Sequence, residues 1–125
     1  MKKVIATTNA PAAVGPYSQA IEANGFLFGS GQIPLDPATG KLVEGGIKEQ
    51  TARVLKNIDA VLTEAGYTKE SVIKTTILLQ DIADFAEVNE VYSGYFTAEQ
   101  PARSTYQVAA LPLGARIEIE IIAAK

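Results

Sequence analysis

The chain contains no histidine and no cysteine. Without histidine there is no Ser-His-Asp triad, no usual zinc site and no usual general base. Without cysteine there is no disulfide framework and no thiolate chemistry. A long apolar run is also missing. Met1-Lys2-Lys3 could open a signal peptide, but Val4-Ile5-Ala6 stops at Thr7-Thr8-Asn9, and nothing later approaches membrane-spanning length. A cytoplasmic protein with no membrane partner is the expectation. Excess positive charge is lacking too: 11 Lys and Arg face 14 Asp and Glu, for a net charge of −3. The basic residues are dispersed, which argues against nucleic acid as a partner.

What is present suits a compact enzyme or binding module. The 125 residues, 47% hydrophobic and 20% charged, fit one domain spanning 1–125. A fold of that length buries roughly two-thirds of its unfolded surface. Residues 2–6 read as a short strand, followed by a loop punctuated by Pro11, Gly15 and Pro16. Asn24-Gly25 is a strong hairpin signal joining strands 19–23 and 26–30. Gly29-Ser30-Gly31 is not a dinucleotide loop, because Pro34 holds the third glycine position and no helix starts there. A turn-rich loop follows around Pro34, Pro37 and Gly40.

The spacing predicts a helix over 47–65, with Glu49 and Arg53 paired on its wet side and Gly66 ending it. Residues 72–79 read as a strand, with Ile73, Ile77 and Leu79 on one face and Val72 and Leu78 on the other. A second helix opens at Asp84, with Glu87 completing a capping box. Residues 104–109 and 116–123 are the last two strands. The order β-β-β-α-β-α-β-β predicts an α+β layer pair with both helices on one sheet face. The other face mixes Glu118, Glu120 and Ile122 with apolar groups, which predicts that copies of the chain cover it.

Polar chemistry in such a chain falls to arginine and carboxylates. Arg103, just after Pro101, has a planar fork that grips a carboxylate with two hydrogen bonds. Glu118 and Glu120 share one strand face roughly 7 Å apart. One is expected to pair with Arg116 or another cation and the other to face a pocket, where a glutamate can aim water or move a proton. Alone, Arg103 is more often a structural ion-pair residue, Tyr17 an ordinary half-buried tyrosine and Ser30 a turn residue. With no histidine in the chain, a serine nucleophile is disfavoured.

Five segments then form a pattern: Gly15-Pro16-Tyr17-Ser18-Gln19, Ser30-Gly31-Gln32-Ile33-Pro34, Asp84-Phe85 to Asn89, Pro101-Ala102-Arg103-Ser104 and Ile117-Glu118-Ile119-Glu120. In order and over nearly the whole length they resemble the RidA (YjgF-type) family of enamine/imine deaminases. The resemblance implies a chorismate-mutase-like subunit and a homotrimer whose sheets form a central barrel, with sites at the subunit interfaces. It implies hydrolysis of 2-aminoacrylate-type enamines and their imines to 2-keto acids and ammonia, with no cofactor and no metal. By the same resemblance Arg103 holds the substrate carboxylate, aided by the backbone N–H of Thr105, and Glu120 readies the water. Gly31 and Ser30 meet the reacting end, Tyr17 lines the pocket from a neighbouring subunit, and Asn89 supports it. Many members carry cysteine where Thr105 stands, so thiol-dependent behaviour is not expected here. Two other readings compete: a module that senses small carboxylates without turnover, and a chaperone-like or ribonuclease activity, whose nuclease version the acidic balance and the lack of histidine disfavour.

Overall fold

The computed structural model describes residues 1–125. The strands are β1 (Lys3–Ile5), β2 (Ala20–Ala23), β3 (Phe26–Gln32), β4 (Leu35–Asp36) and β5 (Lys41–Leu42), then β6 (Val72–Leu79), β7 (Ala102–Gln107) and β8 (Ile117–Ala124). Helix α1 (Ile47–Ala65) precedes β6, and α2 (Phe85–Tyr95) precedes β7. Six strands form a mixed sheet in the order β1-β2-β3-β8-β6-β7, with β7 parallel to β6 and the other pairings antiparallel. The stretch expected to be an irregular loop after β3 folds into the small β4–β5 hairpin.

Alternation along β8 sets the layers. Ile117, Ile119, Ile121 and Ala123 are buried, while Glu118, Glu120 and Ile122 are not. The buried row packs under both helices, with Val54, Ile58 and Leu62 from α1 and Val88, Tyr92 and Phe96 from α2 in the same core. Both helices therefore cover one face and leave the other open, as expected of an α+β layer pair. Asn24 and Gly25 turn the β2–β3 hairpin with φ of 53° and 78°.

Several local expectations are corrected. A register shift between Val72 and Lys74 puts Val72 on the core side with Thr75, Ile77 and Leu79 and turns Ile73 outward. Glu49 does not pair with Arg53; its carboxylate accepts from the Gly46 N–H at 2.7 Å, while Arg53 donates to Asn57. Asp84 makes no side-chain cap and instead accepts from Arg116 Nη2 with both carboxylate oxygens, at 2.8 and 2.9 Å. A guanidinium outcompetes a single backbone N–H for a half-dry carboxylate, so Arg116 is lost to either glutamate. Arg103 lies inside β7 rather than ahead of it. That decides which way it points.

Candidate functional site

Arg103 stands beside Thr75 in the β6–β7 ladder. Thr75 is fully buried, and its hydroxyl shares a 2.7 Å hydrogen bond with the Tyr92 hydroxyl of α2. Arg103 is thus on the helix side of the sheet's edge. Its Nη1 donates to Asn89 Oδ1 at 2.8 Å. Its guanidinium carbon lies 4.9 Å from the Tyr92 ring centre and 5.3 Å from that of Phe85. Phe85, Asn89 and Tyr92 are four and three residues apart, so one helix stripe supplies the whole pedestal. Ring faces attract a cation without neutralising it. Burial pushes the Tyr92 hydroxyl up, so it stays neutral beneath the guanidinium.

The chain's two ion pairs are Lys48–Glu90 and Arg116–Asp84, and neither includes Arg103. A guanidinium so oriented, with no carboxylate of its own and most donors free, is ready for an anion. It lines a cleft of about 440 Å³ with Asn89, Tyr92, Ser93, Gln100 and Pro101.

The edge adds a second group. Val108 N–H donates to the Leu79 carbonyl at 2.9 Å. Alternation along a parallel ladder then turns the N–H groups of Arg103, Thr105 and Gln107 away from the sheet. The Thr105 N–H is therefore free on the same rim as Arg103. Its hydroxyl is shielded from water and has no hydrogen-bond partner.

A different groove, of about 340 Å³, holds Tyr17, Gly31 and Glu118. The β3–β8 register breaks between Gly29 and Gln32 and brings Gly31 against the Glu118 carboxylate, so closely that any Cβ at Gly31 would collide with it. Burial first, and the charge of Glu120 second, push the Glu118 carboxyl above its ordinary value. The loop that carries Tyr17 is tied down by Gln19. Its amide accepts from the Thr7 N–H at 2.6 Å and donates to the carbonyls of Thr7 at 3.0 Å and Pro11 at 2.7 Å. Ser30 donates its hydroxyl to the Ser18 carbonyl at 2.6 Å and serves the same loop.

Glu120 is elsewhere. It occupies a recess of about 170 Å³ with Phe28, Lys74 and Thr76. Within one subunit the structure therefore brings Tyr17 and Gly31 to Glu118, not to Glu120, and Asn89 to Arg103. It does not bring Arg103 to either glutamate, because they lie on opposite sides of the sheet. Phe85, Tyr92 and Gln19 border or brace these clefts without having been given a role by sequence reasoning, which weighed Glu118 but chose Glu120. The four-and-three spacing of Phe85, Asn89 and Tyr92 could have revealed the pedestal. The bulge that selects Glu118 left one signal, the glycines of Gly29-Ser30-Gly31, which let backbone pack closely or bend out of the sheet.

The comparisons with known proteins agree with this architecture. The family described as endoribonuclease L-PSP matches residues 7–125, and the chain belongs to it. An Arabidopsis thaliana protein named Reactive Intermediate Deaminase A, chloroplastic, is 58% identical over 98% of this chain. The chain spans 65% of that protein's length. A mouse protein named 2-iminobutanoate/2-iminopropanoate deaminase is 53% identical, over 98% of this chain and 91% of its own. Among solved structures, E. coli TdcF with bound serine superposes with a TM-score of 0.93 at 40% identity, covering 98% of both chains. No helix of this chain is long and apolar enough to cross a membrane.

Proposed function

We propose that this chain is an enamine/imine deaminase, hydrolysing 2-aminoacrylate-type enamines and their imine tautomers to 2-keto acids and ammonia. The observation that carries the reading is Arg103, an oriented guanidinium without a carboxylate partner, in a chain whose relatives are named for imines of small carboxylic acids. A serine bound to a related fold supports a ligand of that size and charge.

The chemistry needs little more. An imine carbon is already electrophilic, so no covalent nucleophile is required. Arg103 and the Thr105 N–H hold the carboxylate. The role expected of Glu120 is assigned instead to Glu118, whose raised pKa suits proton transfer. In its protonated form Glu118 donates to the imine nitrogen or, for an enamine, to the terminal carbon. As carboxylate it takes a proton from the attacking water. The C–O bond forms and gives a carbinolamine. Glu118 then passes the water's proton to its nitrogen, the C–N bond breaks as the hydroxyl becomes the keto group and returns its proton to Glu118, and ammonia leaves. The Gly31 backbone and Tyr17 wall the reacting end, with Ser30 holding Tyr17's loop and Glu120 acting on the charge of Glu118.

Because Arg103 and Glu118 face opposite sides of one sheet, a substrate meets both only at a seam. The open edge of β7 from one protomer would lie against the open face of the next. Head-to-tail contacts of this kind close into rings, and the family resemblance makes the ring a trimer. Both the exposed edge and the half-polar open face want covering. Endoribonuclease activity, the family's other designation, gains little support from a chain of net charge −3 with dispersed basic residues.

The test is coupled. A serine dehydratase generates 2-aminoacrylate, and the added protein should raise pyruvate and ammonia formation above the spontaneous rate. Binding of pyruvate with no acceleration would replace this reading with a carboxylate-sensing module.

A further inference from the structure

Met1 aside, the two most exposed large apolar side chains are Val14 (81%) and Leu113 (70%). They come from loops near opposite ends of the chain, yet both line the groove that holds Glu118. Half-exposed Tyr17 lines the same groove. Leu113 carries a second cost. Its φ of 59° and ψ of 20° put a branched side chain in the left-handed region, where Cβ crowds the backbone and glycine or asparagine would fit more easily. Nothing inside the subunit compensates, since an exposed leucine gains no burial. An outlier of this kind at the mouth of a cleft is a sign of function rather than of folding.

We infer that Val14 and Leu113 determine specificity: they flank the Glu118 groove as two apolar jaws that close on the substrate's aliphatic side chain. The inference rests on the deaminase reading and adds the side-chain preference to it. With the carboxylate directed to Arg103 and the imine carbon to Glu118, the third substituent of a 2-imino acid is left facing this apolar wall. An ethyl group fills it better than a methyl group.

The test compares kcat/KM for 2-iminobutanoate and 2-iminopropanoate, formed by a dehydratase from threonine and serine. The wild type should favour the ethyl substrate about fourfold, the fold-change equivalent to ~0.8 kcal/mol per buried methylene. In Leu113→Gly and in Val14→Ser that ratio should fall towards one. Calorimetric titration with 2-ketobutyrate and pyruvate should show the same loss of discrimination. Leu113→Gly should also melt at the same or a higher temperature, because its backbone strain is relieved; a structural leucine would do the reverse. An unchanged ratio in both variants overturns the inference, whatever happens to melting temperature or assembly mass. If the wild type turns over both imines and only the ratio fails to move, the deaminase reading stands and the jaws fall. If it turns over neither, both fall.

Discussion

A lysine at position 103 keeps the positive charge and loses the fork. Arg103 spends one N–H on Asn89 and retains enough donors for a two-bond grip on a carboxylate. An ammonium there can offer one bond in place of two. Losing one charge-assisted hydrogen bond costs about 1.5–3 kcal/mol. The cation–ring contact with Tyr92 and Phe85 is also weakened, by roughly 0.5–1 kcal/mol. The sum, about 2–4 kcal/mol, converts to roughly 30- to 1,000-fold in kcat/KM. The assay is pyruvate release from 2-iminopropanoate in the coupled system, with single-turnover traces to separate binding from chemistry. Anchoring acts on ground and transition states alike, so most of the loss should appear in KM. Asn89→Ala, which frees the guanidinium without removing it, should lose about three- to tenfold, the range of a neutral partner. Arg103→Lys turning over within threefold of wild type would refute the anchoring role.

Glu118→Gln should lose at least about a hundredfold in kcat, the usual scale for a positioned acid–base group. Glu120→Gln should lose far less, and should move the acidic limb of the pH–rate profile downward by removing one cause of the raised Glu118 pKa. The stability sign follows from the same shift. Glu118 binds its proton more tightly when folded, so its ionisation opposes folding as pH rises past the ordinary carboxylate value of 4.5. Glu118→Gln should therefore melt higher than wild type at pH 7, with the gain vanishing below pH 4.5. Gln19→Leu should destabilise by ~1–3 kcal/mol, since it removes the partners of the partly buried backbone groups of Thr7 and Pro11; an unchanged denaturation midpoint would contradict the latch.

Much of this architecture was legible in the residues. The apolar stripe from Ile47 to Leu62 and the alternation along Ile117–Ile121 carried α1, β8 and the side of the sheet that the helices cover. Both are periodic signals repeated over many residues, and burial enforces them. The errors sit where one residue changes a phase. A single shift near Ile73 swapped Val72 and Ile73 between the faces of β6, and a bulge between Gly29 and Gln32 set Glu118 rather than Glu120 against Gly31. Bulges follow from strand geometry and leave little composition behind. Polar partners were equally hard to read. Asp84 resembled a helix cap but serves Arg116, and Phe85 and Tyr92, on one stripe of α2, bring their rings against Arg103. A sequence supplies the candidates for such pairings, and only the fold chooses among them.

The central claim is that Arg103 of one protomer and Glu118 of the next act on one substrate. Mixing two inactive variants tests it most directly. Arg103→Ala and Glu118→Gln, dissociated and reassembled at equal amounts, give seams in which each required residue is present half the time. About one quarter of the sites in such a ring are intact, so about one quarter of wild-type activity should return. Recovery of none, with mixed assembly verified by mass, would contradict a site shared between protomers.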